Sequence, residues 1–170
     1  MPLRFVPCNM VEIIISEEQR ERAQELYDFD ELNNSISKGW SNKFGAIGEV
    51  ITADYFRGKK RSVDTQATYD YDLIIDGYKI DVKTTKVGVD VTPLPYYAAK
   101  VCNFNTGQKC DFYLFVDALD DLSKCWLCGY ISKERYYQIA DFRKKGEKDR
   151  SFTYRATCYT TRIDNLNPLS

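Results

Sequence analysis

The sequence contains no histidine among its 170 residues. That absence excludes a Ser-His-Asp or Cys-His nucleophilic centre, a histidine general base and a zinc site with imidazole ligands. Carboxylates, lysine, tyrosine, thiols and a bound metal ion are left as the groups that could perform catalysis. The sequence also lacks an apolar run of membrane-spanning length and an apolar N-terminal segment typical of a signal peptide. We therefore expect a globular protein of the cytoplasm.

Net charge is almost absent as well. The 24 Lys and Arg residues nearly balance the 25 Asp and Glu residues, which leaves a formal net charge of −1 at pH 7. A field this weak does not attract a polyanion to the molecule as a whole. Any contact with nucleic acid must therefore come from local basic patches.

Six cysteines are present, and in a cytoplasm we expect them to stay reduced. Cys125 and Cys128 have the spacing of half a zinc site, for which Cys102 and Cys110 could supply the other half. The apolar pattern around Cys125 and Cys128 predicts a strand, and residues three apart in a strand point to opposite faces. That geometry argues against a structural zinc site, which we keep as an alternative.

Residues 69–85 hold the strongest local signal in the chain. The dipeptide Asp76-Gly77 lies between two stretches with alternating apolar residues. It predicts a two-residue hairpin turn, because both central positions of a type I′ turn need a positive φ. The turn fixes the register of the two strands. It places Asp72 opposite Asp81, with their Cβ atoms roughly 4.5–5.5 Å apart on one face of the sheet.

Lys83 shares the face of Asp81, because it lies two residues further along the same strand. The same register pairs Asp70 with Lys83, so Asp70 is a candidate for a supporting role outside the site. Two facing carboxylates destabilise a ladder unless a cation compensates them, and Mg²⁺ prefers carboxylate oxygens. We therefore expect a metal site at Asp72 and Asp81. An ordinary salt bridge from Lys83 to Asp70 or Asp81 is the alternative interpretation.

A second informative stretch, residues 43–56, has the apolar spacing of a helix. It contains two glycines, each of which costs about 1 kcal/mol relative to alanine inside a helix. Small residues lie one turn from Glu49 on either side, at Gly45, Ala46 and Ala53. Such a stripe would let the helix lie close to another element and direct the Glu49 carboxylate inward. A solvent-facing Glu49 is the alternative.

The other segments complete an α/β pattern in one predicted domain, residues 1–170. From the N-terminus they are an extended segment at 11–16, a helix at 17–27 with a Ser16–Gln19 capping box, a loop at 28–42, strands at 111–118 and 125–131, a helix from the cap Ser132 to Phe142, and a strand at 152–163. Within this domain we expect an N-terminal helical extension at 1–42, a core at 43–142, and a basic segment with the final strand at 143–170.

The order of these motifs resembles the PD-(D/E)XK nuclease superfamily. It runs from a helix with Gly-x-x-Gly-Glu, through Asp72, to Asp-Val-Lys at 81–83 and a following apolar strand. The resemblance covers roughly residues 43–131, and the strand and helix at 125–142 also resemble those of small phage and bacterial members. Tyr71 stands where the name-giving proline would be, and Asp81 replaces the commoner glutamate. The implied fold is a restriction-endonuclease-like core, with a central mixed sheet flanked by helices in the order αβββαβ.

The resemblance also implies a Mg²⁺-dependent deoxyribonuclease. Its catalytic residues would be Glu49, Asp72, Asp81 and Lys83. Asp72, Asp81, the Val82 carbonyl and Glu49 would bind one or two Mg²⁺ ions, for which Mn²⁺ is expected to substitute. Lys83 would orient the attacking water and offset negative charge in the transition state. DNA is the implied substrate, in the host cytoplasm if the chain comes from a phage.

Basic residues near the predicted helix and hairpin are candidates for phosphate contacts. They are Arg57, Lys59, Lys60, Arg61 and Lys86, with a further cluster at 143–150. Phosphate contacts carry no sequence information, and no helix-turn-helix or zinc finger is present to read bases. We therefore expect selectivity for a DNA structure, such as a junction, a flap or an end.

Several alternatives stay open at this stage. The sequence does not distinguish DNA from RNA or endonuclease from exonuclease action. A homodimer is a candidate assembly, because a cut through two strands usually needs two active sites. A rival from another class is a catalytically silent domain of the same fold that binds nucleic acid or a protein partner.

Overall fold

The structure is a computed structural model that describes residues 9–32, 40–65, 68–88, 91–149 and 152–169. Its helices are α1 (Glu17–Leu32), α2 (Trp40–Gly58) and α3 (Lys133–Ile139). Its strands are β1 (Val11–Ile14), β2 (Val63–Thr65), β3 (Leu73–Ile75), β4 (Tyr78–Val87), β5 (Ala98–Cys102), β6 (Phe112–Leu119), β7 (Lys124–Ser132), β8 (Asp141–Arg143), β9 (Lys148–Asp149), β10 (Phe152–Thr153) and β11 (Cys158–Arg162).

Six strands form the main sheet in the order β1-β7-β6-β4-β3-β2. The central strands β4 and β6 are parallel, and the other neighbouring strands pair antiparallel. β6 is buried along almost its whole length, as its nearly continuous apolar sequence predicted. The chain is thus a mixed α/β protein with a central mixed sheet, which confirms the predicted class. No helix in the described ranges is both long and apolar enough to cross a membrane.

The two faces of the main sheet have different coverings. On the helical face, aliphatic residues of the sheet pack against α1 and α2; this cluster includes Ile47, Ile51, Leu73, Val82 and Leu114. On the aromatic face, the sheet packs against α3 and a second sheet of order β5-β11-β8; this cluster includes Val101, Tyr113, Phe115, Trp126 and Tyr136. Alternate residues of β4 and β6 therefore enter two different environments.

A single glycine sets how closely α2 approaches β4. A Cβ atom built on Gly48 would lie 1.9 Å from Thr84 Oγ1 and 3.3 Å from Val82 Cγ1, so a larger residue would collide with the strand. Gly45, which the sequence also indicated as a close-packing residue, has nothing within 4 Å of such an atom. The close approach thus depends on the residue directly before Glu49, and the role predicted for Gly45 is wrong.

The N-terminal segment contributes to the main sheet and its helical covering. β1 pairs antiparallel with β7 at the edge of the sheet, and α1 packs on α2. The predicted capping box of α1 is confirmed. Ser16 N donates to Gln19 Oε1 at 3.0 Å, and Gln19 N donates to Ser16 Oγ at 3.1 Å.

The loop predicted over 28–42 is wrong at both of its ends. α1 continues to Leu32 and α2 already begins at Trp40, while residues 33–39 lie outside the described ranges. The polar composition of this stretch resembles that of a loop. Charged and polar residues are also normal on an exposed helical surface, which accounts for the error.

The helix predicted to reach Phe142 ends earlier, at Ile139. Its cap is confirmed, because Ser132 Oγ accepts a hydrogen bond from Arg135 N at 3.2 Å. The next residue after Ile139 has an extended backbone, and β8 then pairs with β11. The ring of Phe142 packs on Tyr159 of β11, with 5.3 Å between the ring centroids. Pairing with a strand distant in sequence therefore replaces the last turn of the predicted helix.

The C-terminal strand predicted over 152–163 is divided in two. β10 pairs with β9 in a separate two-stranded sheet, whereas β11 lies at the centre of the second sheet. β5, the partner of β11 on the other side, was not predicted, because the prolines at 93 and 95 made the preceding segment look irregular.

Candidate active site

The β3–β4 hairpin adopts the predicted register. Leu73 pairs with Ile80 and Ile75 pairs with Tyr78. The turn residue Asp76 has φ +49°, and the glycine after it has φ +86°, as a type I′ turn requires. The paired ladder stops at Leu73, one residue after Asp72.

Asp72 lies just past the end of the paired ladder, and its side chain makes one of the hydrogen bonds to β4. Its backbone N–H donates to Ile80 O at 3.0 Å, and its Oδ2 accepts a hydrogen bond from Val82 N at 2.8 Å. The carboxylate thus occupies the position where a partner strand would offer a carbonyl. The predicted direct pairing of Asp72 with Asp81 across the ladder is therefore wrong, although their side chains still interact.

The Val82 carbonyl is directed toward the same opening. The N–H and C=O of one strand residue point to the same side of the strand. Since Val82 N bonds to Asp72, the Val82 carbonyl also lies on the side where β3 has ended. This orientation is compatible with the ligand role that the sequence predicted for it.

Asp81 and Lys83 lie together on the aromatic face, as the two-residue spacing predicted. Asp81 is 2% exposed, and its Oδ2 lies 2.6 Å from Lys83 Nζ in an ion pair. Lys83 Nζ also lies 5.8 Å from the centroid of the Tyr113 ring. The salt bridge from Lys83 to Asp81, which was the alternative interpretation of the sequence, is therefore present in the structure.

Glu49 reaches the cluster from the helical side. It is half-buried on α2, and its carboxyl group is hydrogen-bonded to the Asp72 side chain. Asp72 in turn interacts with Asp81. The structure thus brings Glu49, Asp72, Asp81 and Lys83 together, with Asp72 contacting carboxyl groups from both sides of the sheet. Their chemical roles remain predictions.

Gln108 is a member of the cluster that the sequence did not indicate. It is 5% exposed, in the loop between β5 and β6. Its Oε1 accepts a hydrogen bond from Lys83 Nζ at 3.0 Å, and its Nε2 donates to Asp81 Oδ1 at 3.1 Å and to Tyr69 O at 2.7 Å. No periodicity or motif marks this residue, because its partners are distant in sequence.

Asp70 supports the loop that carries Gln108 and does not face Lys83. Its Oδ1 accepts a hydrogen bond from Lys109 N at 3.0 Å. The pairing predicted between Asp70 and Lys83 fails because the ladder has already ended at Leu73.

Burial shifts the protonation of the two aspartates in this cluster. It raises the pKa of Asp72 to about 7, and the negative charge of Asp81 adds to the shift. Burial also raises the pKa of Asp81, while the Lys83 ammonium opposes that rise. The raised pKa favours the protonated form of Asp72 up to a higher pH than for an exposed aspartate.

The donor atoms of the cluster suit a hard divalent cation, although they do not form a ready cage. Within the ranges that the structure describes, no three Asp, Glu or Cys side chains are arranged as ligands around a common point. The buried Asp81 Oδ2 atom has the Lys83 ammonium as its ion-pair partner at 2.6 Å and no further hydrogen-bond donor among the described residues. The oxygens of these carboxylates, including Asp81 Oδ2, are the type of ligand atom that Mg²⁺ prefers.

The candidate phosphate-binding residues near the helix and hairpin lie outside this cluster, and all five of them are exposed. Arg61 lies 3.3 Å from Asp76, at the turn end of the hairpin. Lys86 lies 3.5 Å from Asp120, near the other end of β4. Basic side chains therefore lie toward both ends of the strand that carries Asp81.

The residues near the end of α2 have local partners. Arg57 Nη1 lies 3.9 Å from Asp54 Oδ1, and Lys59 Nζ lies 5.6 Å from the ring centroid of Tyr55. Lys60 has φ +60° in the turn that follows the helix. Arg57, Lys59, Lys60 and Arg61 thus lie in one exposed stretch, and their phosphate contacts remain a prediction.

The cysteines of the alternative zinc site point apart. Cys125 belongs to the cluster on the helical face, whereas Cys128 belongs to the cluster on the aromatic face. The two thiols therefore cannot bind one ion, as the strand pattern predicted.

No protein-family model matches this chain, and no curated protein matches it. Its assignment to a superfamily therefore remains a proposal based on its own residues.

Proposed function

We propose that this chain is a Mg²⁺-dependent deoxyribonuclease with a restriction-endonuclease-like core. The convergence of three carboxylates with one lysine carries the proposal: Asp72 interacts with Glu49 and Asp81, and Lys83 Nζ lies 2.6 Å from Asp81. Crowded, buried carboxylates cost stability unless a cation compensates them. A bound metal ion would supply that compensating positive charge.

The order of elements supports the same core. α2 precedes the hairpin, β4 lies parallel to β6, and α3 follows β7. One departure from the order αβββαβ is the connection between β4 and β6. It consists of β5 and a short 3₁₀ turn where the superfamily pattern has a helix.

Each residue has a definite task in this proposal. Asp72, Asp81, the Val82 carbonyl and Glu49 would hold Mg²⁺, or Mn²⁺ in its place. Bound metal would polarise the scissile phosphodiester and lower the pKa of a water ligand. Lys83 would orient the attacking water and offset negative charge as the transition state forms. Burial of Asp81 strengthens these interactions, because water does not screen them.

The proposed substrate is DNA of a particular structure, such as a junction, a flap or an end. The exposed basic stretch at 57–61 and Lys86 would contact backbone phosphates toward either end of β4. These contacts give affinity without base recognition. The proposed setting is the cytoplasm, and a homodimer would supply two active sites for a cut through both strands.

Cleavage of a labelled DNA panel tests the proposal. The panel contains duplex, single-stranded, flap and four-way-junction DNA, with Mg²⁺, Mn²⁺ or EDTA. We expect metal-dependent cleavage by the wild type that is lost in Lys83→Ala. The matched control is Lys79→Ala, which removes an exposed lysine from the same strand. Equal loss in both variants, or cleavage in EDTA, would contradict the assignment.

A catalytically silent nucleic-acid-binding or protein-binding domain is the second candidate. It is favoured by the near-neutral charge and by the contacts that Lys83 already makes with Asp81 and Gln108. In that case the lysine would replace the metal as the compensating cation. Calorimetry with Mg²⁺ and Mn²⁺ separates the two candidates. Only the nuclease should bind these ions, and the substitution Asp81→Asn should abolish that binding.

A further inference from the structure

We propose that Gln108 is a positioning residue that holds the Lys83 ammonium in place when the Asp81 carboxylate binds a cation. This inference rests on the proposed nuclease function. It assigns a residue that lies 25 positions after Lys83 and belongs to no recognised motif of the sequence. Gln108 acts through Lys83 and has no direct contact with the reacting atoms in this assignment.

Lys83 has two polar partners, and they differ in their relation to the metal. Asp81 Oδ2 lies 2.6 Å from Lys83 Nζ, but a cation bound at Asp81 would compete for that oxygen. Gln108 Oε1 accepts from Lys83 Nζ at 3.0 Å and is a neutral amide oxygen. A neutral partner can stay with the lysine when the carboxylate charge is taken by metal. Gln108 therefore offers the contact that survives metal binding.

The amide of Gln108 is itself held from several sides. Its Nε2 donates to Asp81 Oδ1 at 3.1 Å and to Tyr69 O at 2.7 Å, which fixes the direction of Oε1. Its backbone carbonyl accepts a hydrogen bond from Lys133 Nζ. The two Nε2 bonds orient the side-chain amide and the Lys133 bond holds the backbone, so the position that Gln108 gives to Lys83 is well defined.

The loop that carries Gln108 is also tied to the segment before Asp72. Lys109 N donates to Asp70 Oδ1 at 3.0 Å, one residue along from the bond between Gln108 and Tyr69. These two bonds join the loop before β6 to the chain that leads into Asp72. The lysine and the carboxylates are thus positioned by one connected set of hydrogen bonds.

Single-turnover cleavage of the preferred DNA, with protein in excess, tests the role of Gln108. Gln108→Met preserves the volume and removes the acceptor, and we expect the maximal rate to fall roughly 10- to 100-fold with an unchanged half-saturating protein concentration. Gln138→Met, on the exposed side of α3, is the matched control and should match the wild type.

A variant that lacks the Lys83 ammonium distinguishes a positioning role of Gln108 from a general structural effect. In Lys83→Met, the further change Gln108→Met should cause no additional loss of rate, because the group being positioned is gone. Equal losses in both backgrounds would overturn the proposal.

Thermal unfolding of the same variants keeps the inference separate from the nuclease proposal. If Gln108 and Lys83 are coupled, the double variant should shift the melting temperature by at least about 2 °C less than the sum of the single shifts. If no nucleic acid is cleaved, the nuclease proposal fails while this cycle still reports the coupling. Additive thermal shifts would overturn the coupling itself.

Discussion

The two faces of the main sheet use the same strands for different purposes. On the helical face, β4 contributes Val82 to an aliphatic cluster against α2. On the aromatic face, the neighbouring residues Asp81 and Lys83 lie beside Tyr113, which is fully buried. Alternation along a strand thus separates apolar packing from charged chemistry by one residue.

The coverings of the two faces differ in the polar groups that they offer to a charged side chain. The tyrosines of the aromatic face carry hydroxyl groups and use them: Tyr113 and Tyr137 share a hydrogen bond of 2.8 Å, and Tyr136 donates to Ala99 O at 2.9 Å. Gln108 supplies further polar partners. In the part of the chain that the structure describes, the cluster on the helical face consists of apolar side chains. A charge inside that cluster would therefore lack partners of this kind, at high cost.

The largest effect should come from removing a charge on the aromatic face. We expect Asp81→Asn to reduce metal-dependent cleavage by roughly 10²–10³-fold or more, because a ligand and its charge are lost together. The variant should still fold, with some loss of stability, because Lys83 loses its ion-pair partner while one of two repelling carboxyl groups is removed. Cleavage rates and circular dichroism check this. Asp64→Asn on β2 is the matched control, and normal cleavage by Asp81→Asn would refute the site.

On the helical face, the main effect should be on stability. Ile51→Ala truncates a side chain that is 1% exposed and should lower the free energy of unfolding by about 2–5 kcal/mol. The cleavage rate below the melting temperature should change little. Denaturant unfolding measures the loss, with Ile14→Ala at a 77% exposed position as the control. A large fall in the cleavage rate of Ile51→Ala, with little loss of stability, would contradict the assignment of apolar packing to this face.

The aromatic face should also make stability depend on pH. Burial raises the pKa of Asp72 and that of Asp117 to about 7. A raised carboxyl pKa favours the folded state below about pH 4, and this contribution is lost as the pH rises through 7. Without metal, each group should lower stability by at most about 1.4 kcal/mol per pH unit.

Asp72→Asn or Asp117→Asn should each reduce that slope, since one titrating group is removed. Urea unfolding at a series of pH values, in EDTA, provides the measurement. The substitution Ile51→Ala should lower the whole curve without changing its slope. A wild-type curve that is flat between pH 4 and 7 would contradict the assigned pKa values.

A substitution where α2 packs on β4 should have a smaller effect, on both stability and cleavage rate. Gly48→Ala places a methyl group against Thr84 and should destabilise the protein by about 1–3 kcal/mol. Because Glu49 is the next residue, the cleavage rate should fall as well. Gly45→Ala meets open space and should be neutral or stabilising by up to about 1 kcal/mol. The double variant Gly48→Ala with Thr84→Ala should recover part of the stability.

The sequence allowed prediction of those parts of the site that depend on local geometry. The Asp76-Gly77 turn fixes its two strands through backbone φ angles that few residues can adopt, and the register followed. The shared face of Asp81 and Lys83 followed from strand alternation. These features need only neighbouring residues, so a single sequence is enough to predict them.

Features that depend on distant residues were missed or misjudged. Gln108 joins the cluster through Lys83, Asp81 and Tyr69, which no local pattern connects. Asp72 leaves the ladder to bond Val82 N, a choice that turn chemistry does not determine. The second sheet arises in the same way, because β8 forms only when β11 is present beside it.

The Asp76-Gly77 turn has a consequence for how the chain reaches its fold. A slip of one residue between β3 and β4 would turn Asp81 and Lys83 toward the aliphatic cluster and Val82 toward the aromatic one. Two buried charges without the Gln108 amide as their partner would make such a chain less stable than the correct one. The polar cluster thus acts during folding as well, because misregistered chains carry a penalty that favours their return to the native pairing.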